Sequence, residues 1–309
     1  MKAILKSVSR SFYLTIRFLP WPLREPVSLA YLLARATDTI ADTAIIPAET
    51  RLITLRKLAH VIAGELDFAA LEKQLGEFAA QQSELRERSL IENLGRCFDS
   101  LARLEPADRA DIRTVLKTIT RGQELDLERF GNPGATKSLR TAAELEEYTY
   151  LVAGCVGEFW TNLGFRKLSN FATRSPEQMA RLGIAYGKGL QLINVLRDRS
   201  ADLRHGRDYL PADELATASV EEVFSHWLDK ARAQLEPGID YCTSLRSWRV
   251  RYATVLPALI GKRTIELLRQ VQPGNSKIKI SRKEVRRILL AALPASVSPS
   301  GLRQLFERL

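Results

Sequence analysis

Apolar residues recur along the chain at the i, i+3, i+4, i+7 spacing of helices almost without interruption, while alternating β-branched runs bounded by turn residues are scarce. The pattern predicts an all-α protein. Proline and glycine punctuate it at Pro20 and Pro22, around Pro47, at Gly131 and Gly134, near Pro176, at Pro211, at Pro237, and at Pro273 and Gly274. Helices of roughly 12 to 25 residues are expected between most of these breaks. Residues 131–142 (GNPGATKSLRTA) read as a loop between two long helices, and a loop of that length often carries function. No repeat of fixed period recurs, and no linker or shift in composition divides the chain, so a single domain over 1–309 is expected.

Two helical segments depart from the usual amphipathic rule in the same manner. In residues 30–43 (AYLLARATDTIADT), Tyr31, Arg35, Asp38 and Asp42 fall within roughly 60° of one another at about 100° per residue. Leu29, Leu32, Leu33, Ala34, Ala36, Ile40 and Ala41 make the remaining faces apolar, so the helix is expected to be largely buried. A buried stripe of two aspartates and one arginine needs a partner, because unpaired buried charge is costly.

The second segment, residues 187–211 (GKGLQLINVLRDRSADLRHGRDYLP), places Gln191, Asn194, Asp198 and Asp202 on one face within about 80°. Leu190, Leu192, Ile193, Val195 and Leu196 take the other faces. These are the only two Asp-x-x-x-Asp spacings in the chain. Like charges at i, i+4 repel by a few tenths of a kcal/mol on an exposed helix and more when buried, so positive charge is expected beside them. For either stripe alone, ordinary ion pairs serve equally well, Asp38 with Arg35 and Asp198 with a neighbouring arginine. Together the stripes describe a cavity in which hard cations bridge carboxylates to an oxygen-rich anion. Mg²⁺ suits such a donor set. Zinc does not, since His60, His205 and His226 are dispersed and no cysteine joins them.

Composition narrows the picture further. With 45% hydrophobic and 27% charged residues among 309, the chain can build a sizeable core and is not of the disordered class. Cys97, Cys155 and Cys242 are odd in number and far apart, which argues against a disulfide framework and for a reducing, cytoplasmic setting. The N-terminal residues lack the continuous apolar core of a signal peptide, and no stretch approaches the roughly 20 apolar residues of a membrane span. A net charge of +10 suits nucleic acid, anionic lipid or a polyphosphate substrate alike, but no zinc-finger spacing or ribonucleoprotein-type aromatic motif supports nucleic acid. The basic run Lys277, Lys279, Arg282, Lys283, Arg286 and Arg287 is bracketed by Ile278, Ile280, Ile288, Leu289 and Leu290. It reads as the solvated face of a C-terminal helix, with peripheral contact at the inner face of a membrane as the sharper alternative. Gly187 and Gly189 sit inside a helical pattern with no strand before them, so no dinucleotide or P-loop fingerprint is present.

Six blocks of the sequence resemble, in order, those of the squalene/phytoene synthase family. They are SRSF (9–12), YLLARATDTIAD (31–42), YTYLVAGCVG (148–157), QLINVLRDRSADLRHGRDYLP (191–211), LPALIGKRT (256–264) and KIKISRKEV (277–285). The YTYLVAG block and the LARATDTIADT stretch look more like the squalene branch, and an end at Leu309 without the C-terminal membrane anchor of eukaryotic squalene synthases looks like the bacterial form. The resemblance implies an isoprenoid-synthase α fold, one helical bundle in which two Asp-rich helices face each other across a central cavity. It implies that Asp38, Asp42, Asp198 and Asp202 hold Mg²⁺ and that Arg10, Arg35, Arg197 and Arg207 neutralise diphosphate. Gln191 and Asn194 would hydrogen-bond near the metals, Tyr148 would manage proton removal, Tyr31 would line the site, and Ser9 and Phe12 would close it.

The activity implied is head-to-head condensation of two farnesyl diphosphates to presqualene diphosphate and NADPH-dependent reduction to squalene. Phytoene or dehydrosqualene synthesis, or a partial enzyme stopping at presqualene diphosphate or hydroxysqualene, stays open. A non-catalytic helical assembly factor is disfavoured, because a scaffold has no need of two like-charged pairs. One departure stands out: Arg199 and Ala201 occupy positions where many relatives carry acidic or neutral residues, so the second motif is expected to be less negative than usual. The small-residue run Val152, Ala153, Gly154 and Gly157 permits close helix approach, with plain core packing an equally good account.

Overall fold

The computed structural model describes residues 2–8, 15–131, 136–270 and 278–309. The chain forms two compact units, Met1–Asn132 and Pro133–Leu309. The first holds α1 (Lys2–Val8), α2 (Trp21–Asp42), α3 (Ala48–Ala63), α4 (Ala69–Ala80), α5 (Leu85–Glu92), α6 (Leu94–Arg103) and α7 (Pro106–Phe130). Three of these helices start on proline, with Pro22 and Pro106 in the first turn and Pro47 just before α3, positions where a missing N–H costs nothing. Helix α2 packs against α3, α5, α6 and α7. Its side toward them is Leu29, Leu32, Leu33, Ala36 and Ile40, all fully buried. The buried Arg51 of α3 donates from Nη1 to the Ala41 carbonyl at 2.5 Å, so a cation closes the negative end of α2 just where the first aspartate stripe stops.

The second unit runs β1 (Lys137–Ser138), α8 (Ala142–Thr149), a π-helical turn (Tyr150–Gly154), α9 (Cys155–Lys167), α10 (Pro176–Arg204), β2 (Arg207–Asp208), α11 (Ala212–Leu215), α12 (Val220–Ser244), α13 (Trp248–Arg269), α14 (Arg282–Ala295) and α15 (Pro299–Arg308). Helix α10 is its spine, 29 residues long and in contact with α9, the π turn, α12 and α13. It starts at a capping box, in which Ser175 and Gln178 satisfy each other's backbone N–H, with Pro176 in the first turn. The small residues expected to allow close approach do so. A Cβ on Gly157 would lie 2.0 Å from the Gly183 carbonyl oxygen, and one on Gly187 would lie 2.3 Å from that of Ala153. Helices α9 and α10 therefore touch backbone to backbone, which only glycine permits.

Two expectations about breaks need correction. Pro237 interrupts nothing: α12 runs through it, as α13 runs through Pro257. Each proline forfeits an intrahelical bond, but Leu235, Ile239, Tyr241 and Cys242 are buried on both sides of Pro237, and that packing holds the helix together across the gap. The loop at 131–142 also holds more order than expected, because Lys137 and Ser138 pair in parallel with Arg207 and Asp208. This is the only sheet among the described residues. The break at Pro273 and Gly274 lies outside them. Among the described residues, no helix is long and apolar enough to cross a membrane.

Candidate active site

The polar stripe of α2 is what remains of that helix once its apolar faces are covered. Tyr31, Arg35 and Asp38 are half-buried and Asp42 is exposed. The stripe is thus more open than the expected burial of the helix implied: α2 is buried on the sides that carry leucine, and accessible on the side that carries charge. The Arg35 guanidinium forks between Asp38 and Glu87 of α5. Burial and the neighbouring charge of Asp42 push the Asp38 carboxyl up to about 6, with Arg35 opposing them. Two carboxylates one turn apart, one of them holding its proton unusually tightly, form a field that a cation would relieve. Glu87 went unnoticed in the sequence because it lies 52 residues from Arg35 and is brought near only by the packing of α5 on α2.

The stripe of α10 is similar. Gln191, Asn194, Asp198 and Asp202 are all half-buried, and the Asn194 amide donates to Gln191 Oε1 at 3.4 Å. Arg197 grips Asp198 in a fork, Nε at 3.0 Å and Nη2 at 2.5 Å. Both ordinary ion pairs that the sequence allowed are therefore present. The Asp38 and Asp198 side chains keep 41% and 46% of their surface exposed, and pairs so open to water are worth only about 0–1 kcal/mol. They are exchangeable and leave the carboxylates available.

Arg199 has a different role from the one its charge suggested. It is buried, and its Nε and Nη2 donate to Asp208 Oδ1 and Oδ2 at 3.0 and 2.7 Å. Its charge is cancelled by a carboxylate off the motif, so the second stripe is not made less negative by it. The same pair locates Arg207. Gly206, at a φ of 75°, turns the chain out of α10, and Lys137 N–H donates to the Gly206 carbonyl at 3.0 Å while Leu139 N–H donates to that of Asp208 at 3.1 Å. Arg207 is thereby fixed on β2 immediately after the Asp198 and Asp202 turns. Tyr148, half-buried on α8, stacks its ring on Tyr209 with centroids 5.0 Å apart, so the structure brings it to the same segment.

A third charged cluster is centred on Glu146, two residues before Tyr148 on α8. Glu146 accepts from Lys188 of α10 and, at 2.5 Å, from Lys230 of α12, whose ammonium also lies 4.5 Å from the Trp227 ring centroid. Burial alone would raise the Glu146 carboxyl, but the two ammonium groups hold it below the usual carboxylate range. This clamp fastens α8 to both helices. Ser9, Arg10 and Phe12 lie outside the described residues.

Among the described residues, no three His, Cys, Asp or Glu side chains converge into one cluster. What each aspartate stripe offers is a pair of carboxylates with amide or guanidinium neighbours. That all-oxygen, incomplete set fits Mg²⁺, which takes one or two carboxylates and completes its shell with water and phosphate. Gly187 and Gly189 are packed against the Ala153, Gln234 and Leu235 backbones inside α10 and make no phosphate-binding loop.

The family model for squalene/phytoene synthase matches residues 5–284. A bifunctional lycopene cyclase/phytoene synthase of Phaeosphaeria nodorum is 28% identical over 219 residues, which is 70% of this chain and 34% of that protein. A squalene synthase of Eremothecium gossypii is 25% identical over 306 residues, 92% of this chain and 64% of that one. The chain thus spans less than two thirds of the length of either relative. Among solved structures, TcSQS in complex with the ligand E5700 shares the fold at a TM-score of 0.76 and 24% identity, covering 99% of this chain and 88% of the other.

Proposed function

The chain belongs to the squalene/phytoene synthase family and is a prenyltransferase-type enzyme of the all-α isoprenoid-synthase fold, and from this premise we propose that it condenses two farnesyl diphosphates head to head into presqualene diphosphate and on to squalene. The observation that carries the reading is the pair of accessible carboxylate stripes on the otherwise buried helices α2 and α10, each with an arginine in an exchangeable ion pair.

In this reading Asp38 and Asp42, and Asp198 and Asp202, would hold Mg²⁺, which supplies neutralisation of the departing diphosphate. Arg35 and Arg197 release their aspartates when substrate binds and turn to the diphosphate oxygens, for which a guanidinium fork is well shaped. Arg207, held by β2, adds a third cation. Gln191 and Asn194 donate amide N–H groups near the leaving oxygens. The hydroxyl of Tyr148, whose ring is stacked on Tyr209, relays the proton that ends the condensation, passing its own proton to an oxygen of the released diphosphate as it accepts the one lost from carbon. Leu192, Ile193, Val195 and Leu196 back the α10 stripe with buried apolar surface, the surroundings that an allylic cation requires. NADPH would be the hydride donor for squalene, and no residue of this chain is assigned to it.

The experiment is product analysis after incubation with farnesyl diphosphate and Mg²⁺, with and without NADPH. Squalene is expected with NADPH, and without it an accumulation of presqualene diphosphate or hydroxylated and dehydrogenated C30 products. A C30 triene-containing product formed at the same rate with or without NADPH would replace squalene by dehydrosqualene, and a C40 product formed when a C20 diphosphate is supplied in place of farnesyl diphosphate would replace it by phytoene.

A further inference from the structure

Helix α14 buries one face and leaves the opposite one bare. Ile288 and Ala292 are buried, the Glu284 carboxylate accepts from Arg263 Nε of α13 at 2.5 Å, and Arg251 of α13, itself buried, donates from Nη1 to the Ser296 and Val297 carbonyls at 2.8 Å. These ties fix the helix in rotation. At about 100° per residue, the arc opposite Ile288 and Ala292 carries Arg282, Lys283, Arg286, Arg287, Leu290 and Leu293. All six are exposed. Leu290 is 72% exposed, and Val297, just past the helix, is 67% exposed. Glu284 is the only acidic residue of the helix, and it is turned away to Arg263. Among the described residues none of the four cations takes part in an ion pair. The bond from Arg251 to Val297 also sets the start of α13 beside the end of α14. There Trp248 is exposed, with the Arg249 guanidinium 5.9 Å from its ring centroid.

A merely solvated face accounts for the cations but not for the leucines, and a face awaiting a protein core accounts for the leucines but not for four unpaired cations. Cations on the first turns, leucines on the last and a tryptophan beside them match the boundary between anionic headgroups and acyl chains. We infer that this face of α14, with Val297 and Trp248, docks the protein on an anionic lipid surface. The proposed reaction gives the docking its purpose, since substrate and product are isoprenoid lipids, while the argument for the surface rests on the charge and exposure of α14.

Flotation of the bare protein with vesicles, without substrate or Mg²⁺, tests this. Vesicles of phosphatidylcholine mixed with phosphatidylglycerol should bind the protein at low salt, and phosphatidylcholine alone should bind it weakly. Each cation near an anionic surface strengthens association about fivefold, so R286E/R287E should weaken partition by about thirtyfold or more. K73E/R96E, with the same change of net charge on exposed positions of α4 and α6, should bind as wild type does. L290N/L293N should bind more weakly than wild type while keeping the salt dependence. All of these sites are exposed, and unchanged thermal melts would verify that the variants fold. Equal partition of R286E/R287E and wild type, or binding indifferent to phosphatidylglycerol, overturns the inference. So does light scattering that shows a dimer broken by L290N/L293N, which would make a second copy the occupant, or duplex DNA that displaces the vesicles. Diphosphate release from detergent-dispersed farnesyl diphosphate should be unchanged in R286E/R287E. Its absence in the wild type, with vesicle binding intact, would count against the proposed reaction and leave the docking surface standing.

Discussion

Replacing Asp38 by Asn should stabilise the fold while disabling the enzyme. The carboxyl of Asp38 is pushed from an ordinary 3.8 to about 6 by burial and by Asp42. For a fully buried group such a displacement corresponds to about 3 kcal/mol of destabilisation at neutral pH. With 41% of the side chain open to water, screening reduces this to about 1 kcal/mol. Asparagine keeps the volume, its Oδ1 still accepts from Arg35, and Arg35 retains Glu87. The sign follows from proton binding. Between pH 4 and pH 6 the folded protein holds the Asp38 proton and the unfolded chain does not, so stability falls as pH rises through that window and stays lower above it. D38N should therefore melt about 2 °C above wild type at pH 7.5, with the advantage shrinking toward zero near pH 4. Differential scanning calorimetry across that range measures it. An Asn variant that melts at or below wild type at pH 7.5, or whose advantage does not change with pH, would refute the electrostatic account of the stripe.

Three further outcomes follow from the second unit. G157A should lose about 2 kcal/mol or more in denaturant unfolding, because its Cβ would stand 2.0 Å from the Gly183 carbonyl oxygen and push α9 from α10. R199M should cost about 3–5 kcal/mol in the same assay by leaving Asp208 buried without its partner, a loss that an arginine serving only the metal face would not produce. Y148F should lower the rate of product formation strongly and leave the unfolding midpoint nearly unchanged, since the ring keeps its stack on Tyr209.

The parts of the site that were legible in the sequence are those written in helical periodicity. Asp38 with Asp42, and Asp198 with Asp202, share a face because four residues make about one turn. Periodicity says which residues lie together but not what covers them, which is why the stripe of α2 proved more open than expected. Arg199 looked like a motif charge because its partner, Asp208, is reached only after Gly206 turns the chain back. Glu87 carries no local signal at all. Pro237 illustrates the limit of punctuation rules, since buried neighbours on both sides outweigh one missing hydrogen bond. The small residues at 153, 154 and 157 did signal close approach, and their contact with Gly183 and Gly187 bears this out.

In the proposed reaction both carboxylate pairs act on the same diphosphate chemistry. The deciding measurement is diphosphate release from farnesyl diphosphate at saturating Mg²⁺, compared among wild type, D38N, D198N and the double variant. Each single variant is expected to lose about 100-fold or more, and the double to be little worse than either, as for residues that work as a unit. Asp67, which caps Ala69, and Asp229, which pairs with Arg269, lie outside the stripes, and D67N and D229N should release diphosphate at the wild-type rate. Near-wild-type release by D38N or by D198N, or losses in the two that simply multiply in the double variant, would contradict the claim.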